Sequence, residues 1–197
     1  MTHHVANDQT QALVAMVRAS TPLMQALRAV RSLGLQSWCI GAGAVRSLVW
    51  DTLHGFAEAS PLGDVDVVYF DASHASDGAE QETDLEQRLR LLQPALRWEV
   101  TNQASVHLWF ERVLGQVVAP LHSLEEGVAT WPEFATCVGV YLAPDDTLGV
   151  VAPLGLDDLF NLRVRHNPRR ASAETYLQRV AEKRFAERWP LLSIVAP

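Results

Sequence analysis

Apolar positions along the chain alternate between helical spacing and short unbroken runs, and each change of rhythm marks an element. The pattern predicts a first helix from Asp8 to Ala19. A second starts at Ser20-Thr21-Pro22, where a capping hydroxyl precedes a proline at the first helical position. Its apolar stripe is Leu23, Leu27, Val30 and Leu33, and Gly34 stops it. Ser37 to Ile40 reads as a short strand. Gly41-Ala42-Gly43 then turns into a helix that faces Val45, Leu48, Val49 and Leu53 inward and ends at Gly55. A loop, Glu58 to Gly63, leads into the most strand-like stretch, Asp64 to Phe70. Its Val65, Val67, Val68, Tyr69 and Phe70 suit a central strand covered on both faces.

Asp77 to Asp84 reads as a polar connection into a helix with Leu85, Leu89 and Leu92 inward and Pro94 past its end. Leu96 to Thr101 is a third strand, and Ser123 opens a helix that closes before Trp131-Pro132. Thr136 to Leu142 and Leu148 to Val151 form a hairpin across Pro144-Asp145-Asp146. Gly155 to Val164 reads as helix, and Ser172 caps a final amphipathic helix carrying Tyr176, Arg179 and Lys183. The expected fold class is α+β with α/β-like character, a mixed sheet with helices packed on it and a C-terminal helical tail. The expected core is residues 36–151, with 1–35 and 152–197 as helical additions forming one compact unit with it.

Composition narrows the class. A chain of 197 residues that is 48% hydrophobic can bury a real core, which excludes a disordered protein. Without an apolar run of about 18 residues no membrane span is expected. The N-terminus has neither the basic nor the apolar part of a secretion signal. Cys39 and Cys137 sit in apolar runs as small core residues of a reducing compartment, so the expectation is a cytoplasmic protein. Net charge is −7, yet residues 152–197 hold eight basic against five acidic residues. That balance argues against a duplex-DNA binder and suits a metal-nucleotide site beside a separate patch for an anion. The tail as a plain solvated helix face is the competing reading. His3 and His4 do not by themselves make a metal site.

The sharpest chemical feature is Asp64-Val65-Asp66 at the start of a buried strand. Residues i and i+2 leave one face of a strand, and carboxylates so close repel unless a cation lies between them. Glu99, in Trp98-Glu99-Val100, is the candidate third acid; its alternative is an edge-strand residue facing solvent. Gly41 and Gly43, between strand and helix, allow backbone amides to approach a phosphate, and Arg46 lies one turn into that helix. Those glycines alternatively serve backbone geometry, and Arg46 a plain surface. Asn102, Gln103 and His107 follow the third strand, either to bind base, ribose or acceptor or to close a hydrogen-bonded loop.

Several blocks together are similar to the signature of the small bacterial nucleotidyltransferase-like family within the DNA polymerase β superfamily. They are Gly41-Ala42-Gly43, Val45-Arg46, Val49-Trp50-Asp51, Asp64-Val65-Asp66-Val67, Phe70-Asp71, Trp98-Glu99-Val100 and Asn102-Gln103-Ala104. Trp131-Pro132-Glu133, Ala152-Pro153, Gly155-Leu156-Asp157-Asp158-Leu159-Phe160 and Trp189-Pro190 extend the resemblance over most of the chain. Ser47 departs from it, where Asn is the pattern, as does Phe134, where Thr is. The resemblance implies a nucleotidyltransferase core in which Asp64, Asp66 and Glu99 are catalytic and hold two magnesium ions. The implied reaction moves a nucleoside monophosphate from a nucleoside triphosphate such as ATP to a hydroxyl of a small molecule, a protein or an RNA end. The Gly155–Phe160 block reads as a packing element, not a second acid site. Two rivals stand beside this reading. One is a catalytically idle domain of the same fold that binds nucleotide or a partner. The other is a dinucleotide-binding enzyme, since Gly41-x-Gly43 follows a strand and Asp64 comes about 20 residues on; Arg46 in place of a third glycine opposes it.

Overall fold

The chain's computed structural model describes residues 2–74 and 78–197, without the side chains of residues 2–6, 78 and 114. The His3 and His4 side chains and Asp77 therefore lie outside the described residues. Helix α1 spans Thr2–Ala19, longer than its apolar rhythm predicts. α2 (Thr21–Arg31) starts where the capping signal sits, with the Ser20 hydroxyl accepting the Leu23 amide. It buries Leu23, Leu27 and Val30. Strand β1 (Trp38–Gly41) runs into α3 (Gly43–Leu53), which buries Val45, Val49 and Trp50.

Strand β2 (Asp64–Tyr69) is followed by a single 3-10 turn at Ala72–His74, and then by α4 (Gly78–Leu92). The expected polar connection up to Asp84 is mostly helix: Glu80, Thr83 and Asp84 are on its exposed side, while Gln81 accepts the Tyr69 hydroxyl and Glu82 the Asn102 amide. Leu85 and Leu89 are buried as expected, but Leu92 in the last turn is 51% exposed. β3 (Arg97–Asn102) and a 3-10 turn at Gln103–Ser105 lead into α5 (Val106–Leu114), a helix the residue pattern did not single out. α6 (Leu124–Val128) is capped by Ser123, and Phe134–Thr136 forms another 3-10 turn.

The hairpin of β4 (Gly139–Leu142) and β5 (Leu148–Val151) forms across the expected turn, but its first strand starts at Gly139 and not at Thr136, which belongs to the preceding 3-10 turn. The Gly155–Val164 segment does not form one helix. α7 covers only Asp157–Phe160, Leu162 takes a left-handed backbone, and β6 (Arg163–Val164) follows. α8 (Ala173–Lys183), capped by Ser172, and α9 (Phe185–Arg188) precede β7 (Ser193–Ile194), which pairs with β6.

The main sheet has the order β3-β2-β1-β4-β5 and is mixed. β2 and β3 are parallel, whereas β1 is antiparallel to both β2 and β4. This is the α+β fold expected. Helices bury one sheet face in a cluster reaching from Leu13 through Val65, Val67, Val100 and Leu89 to Trp189. A smaller cluster on the other side holds Cys39, Val68, Leu124, Val128, Cys137 and Val151. Both cysteines are free and buried, and burial pushes the Cys137 thiol up to about 12. Among the described residues no helix is long and apolar enough to cross a membrane.

Candidate active site

Strand alternation sends Val65 and Val67 into the helix-covered core and leaves Asp64 and Asp66 on the opposite face. On the parallel neighbour β3, Trp98 and Val100 are buried while Glu99 between them is exposed. The register pairs Asp66 with Glu99 and Asp64 with Arg97, so the three acids share one face. They line a cavity of about 850 Å³, together with Thr101 and Gln103. The apolar flanks of Glu99 therefore do not force it to be buried and paired. They face the other side of an edge strand.

Burial pushes the Asp66 carboxyl up to about 6, and Glu99 and Asp64 add to the rise, while Lys183 and Arg46 oppose it. Asp64 is turned to Arg97, with a carboxylate oxygen 3.0 Å from Nε. Among the described residues no group of three or more His, Cys, Asp or Glu side chains is set to hold a metal ion. The expected convergence thus reaches a shared face and cavity, not a closed ligand cluster. Asp64–Arg97 is a solvent-exposed pair, worth about 0–1 kcal/mol, and so is readily exchanged for a cation.

The β1–α3 corner forms a second wall. Ala42, Gly43, Ala44 and Ser47 line the cavity, and α3 begins without a side-chain cap, leaving its first amides for an anion. Ala42 holds the strained backbone here, at φ 46° and ψ −114°. Gly41 is not in the lining. A Cβ on it would run into the Trp131 ring and close on the Val138 carbonyl, so close packing explains this glycine. Arg46 is no surface residue; it is 5% exposed, and its guanidinium reaches the cavity from beneath Gly43.

The residues after β3 divide. Gln103 is buried and faces the cavity. Asn102 is fully buried outside it: its side-chain oxygen accepts the Asp71 and Ala104 amides, and its amide donates to the Asp71 carbonyl. That geometry ties β3 to the end of β2, which is the loop-closing alternative. His107 does not line the cavity either, and its Nδ1 is buried without a hydrogen-bond partner. Asp158 is buried and paired with Arg165 at 2.7 Å, as a packing element.

The cavity also gathers residues that the motifs did not single out as site residues. Arg179 and Lys183 of α8, Arg188 of α9, Trp131 and Trp109 all line it. A signal for the first two was available, since Thr175, Arg179 and Lys183 recur at i, i+4 and i+8 on one helix face.

A sequence profile described as nucleotidyltransferase matches residues 28–194, and the chain belongs to that nucleotidyltransferase family. It is thus an enzyme of nucleotidyl transfer. A protein whose NMR structure reveals a CCA-adding enzyme head domain is similar at 28% identity and TM-score 0.79. The match covers 95% of this chain and 96% of that one. A CCA-adding enzyme in complex with CTP shares the fold at 14% identity and TM-score 0.55, over 94% of this chain and 43% of its own. So does the Thermotoga maritima CCA-adding enzyme complexed with tRNA, at 14% identity and TM-score 0.53, over 94% and 42%. No curated protein matches. The dinucleotide-binding alternative fails on topology, because that motif needs two parallel strands around its helix and β1 is antiparallel to β2.

Proposed function

We propose that this enzyme transfers a nucleoside monophosphate from a nucleoside triphosphate to a hydroxyl acceptor, using divalent ions held by Asp64, Asp66 and Glu99. The observation that carries this reading is the register of Asp66 with Glu99, beside Asp64, on the cavity face of two parallel strands. The donor set fits a hard cation: all its ligating atoms are carboxylate oxygens, and the burial and neighbouring acids that raise Asp66 to about 6 make its charged form one that a cation stabilises. Magnesium held by these acids would supply Lewis acidity, lowering the pKa of the acceptor hydroxyl and offsetting charge on the departing pyrophosphate.

The chain's own groups do the remaining work. The acceptor oxygen bonds to the α-phosphorus, the bond to the bridging oxygen of the β-phosphate breaks, and pyrophosphate leaves. Glu99, exposed to the cavity, takes the acceptor proton. The uncapped amides at the start of α3 face the phosphates, and Gln103 lies within reach of base or ribose. An RNA end is the acceptor to try first, because enzymes of this fold have been captured with CTP and with tRNA. Small-molecule and protein hydroxyls are the other arms.

The test follows α-phosphate label from each triphosphate, with magnesium, onto RNA, small-molecule and extract acceptors. Asp64→Asn and Asp66→Asn should abolish transfer while weakening nucleotide affinity far less. The second reading to be distinguished is a domain that binds nucleotide without turnover. Wild type that binds all four triphosphates yet labels nothing establishes it.

A further inference from the structure

The acids occupy one wall of the cavity, and a wall of cations stands with them. Arg46 is the most informative. Its guanidinium lies over three aromatic rings, 4.9 Å from Phe185, 5.3 Å from Trp50 and 5.6 Å from Trp189. It has neither ion pair nor hydrogen bond among the described residues, and its Nε is buried without a partner. A charge removed from water is costly unless paired, and cation–π contacts offset only part of that cost. Burial pulls its pKa down to about 10, which leaves it charged at neutral pH.

The cage is assembled from distant chain segments. Trp189 donates its ring N–H to Asp51 at 2.7 Å, and Asp51 also accepts the Ser60 amide at 2.6 Å. Trp50 donates to the Leu159 carbonyl at 3.1 Å. The position of Arg46 is thus set by aromatic faces rather than by a carboxylate, which keeps its donors free for something in the cavity.

Three more cations come from the C-terminal helices. Arg179 is held from behind by Glu133, which is fully buried, with Nε 2.9 Å from Oε1. Lys183 lies one turn further along the same face of α8, and Arg188 stacks over Trp189 at 4.2 Å. All four line the cavity with Asp66, and Glu133 is the carboxylate paired among them. Such an excess of convergent, anchored donors suits a compact polyanion.

We infer that Arg46, Arg179, Lys183 and Arg188 form a metal-independent seat for the terminal phosphates of the triphosphate, in which the pyrophosphate rests after transfer. This rests on the proposed reaction for its substrate, but the seat itself needs no turnover. It makes the C-terminal helices part of the active site, with Trp50, Trp189, Asp51 and Glu133 as positioning residues. The two walls divide the labour. The acids would hold the divalent ions, and the cations hold the leaving group.

Calorimetric titration of the full chain with inorganic pyrophosphate in EDTA tests the seat. Wild type should bind, with affinity falling as salt rises. Arg46→Met should weaken binding about tenfold or more, as the loss of charged hydrogen bonds predicts. Lys183 is exposed, so Lys183→Gln and Lys183→Glu keep the fold and should weaken binding in that graded order. Absence of pyrophosphate binding at millimolar concentration overturns the inference, as does binding indifferent to both Lys183 variants. Charge-dependent pyrophosphate binding with no nucleotidyl transfer keeps the seat and removes the proposed reaction. Transfer by a wild type that ignores pyrophosphate does the reverse.

Discussion

Removing the charge of Asp66 should make the metal-free protein more stable. In the fold its carboxyl titrates near 6, raised from 3.8 by burial first and by Glu99 and Asp64 after it. The folded state therefore keeps a proton that the unfolded chain releases. This contribution to stability is fully present below about pH 4 and is lost as pH rises through about 6. At pH 7 the wild type bears the whole cost. The rise from 3.8 to about 6 corresponds to about 3 kcal/mol at 1.36 kcal/mol per pH unit. Solvent reaches this half-buried group, and screening reduces the expected effect to about 1–2 kcal/mol. Urea unfolding in EDTA, from pH 4.5 to 7.5, measures it. Asp66→Asn should unfold at higher urea than wild type at pH 7, and the difference should shrink toward pH 4.5. A variant equally or less stable at pH 7, or a difference that does not change with pH, refutes the reasoning. Magnesium should narrow the gap at pH 7, because it stabilises the wild type through the charge that the variant lacks.

Gly41→Ala should cost about 1–3 kcal/mol in urea unfolding, because its Cβ meets the Trp131 ring, whereas Gly43→Ala, whose Cβ makes only ordinary contact with the Arg46 guanidinium at 3.8 Å, should change stability by about 0.5 kcal/mol or less. Trp189→Phe keeps a ring beside Arg46 but leaves the Asp51 carboxylate short of a donor, and should lose about 1–3 kcal/mol by the same assay. Magnesium with a triphosphate at a hundred times its Kd should stabilise the fold by about 2.7 kcal/mol in thermal shift, and NAD should not.

Some of this was legible in the residues alone. The Ser20 and Ser172 caps, the stripe of α2 and the alternation of β2 act over a few residues, so their reading needs no partner. Leu92 and the Gly155–Val164 segment misled for different reasons: whether the last turn of a stripe is covered depends on what packs against it, and the helix after Gly155 stops at Phe160 because Arg163–Val164 pair with the distant Ser193–Ile194. The residues around Glu99 left open a site acid or an edge-strand residue facing solvent, and the strand is an edge strand whose alternation exposes Glu99 on the cavity face. The basic excess of residues 152–197 was visible, but not which of its members meet.

Local periodicity sends Asp64 and Asp66 off one face of a strand and places Tyr176, Arg179 and Lys183 on one amphipathic helix. Both follow from backbone periods of two and 3.6 residues, which operate locally. Tertiary packing selects the register of β2 and β3 that sets Glu99 beside Asp66. It alone brought Trp189 to Asp51, 138 residues away, and so placed Arg46 among three rings. Such juxtapositions depend on strand register and on burial of distant apolar faces against each other, and no local rule carries that information.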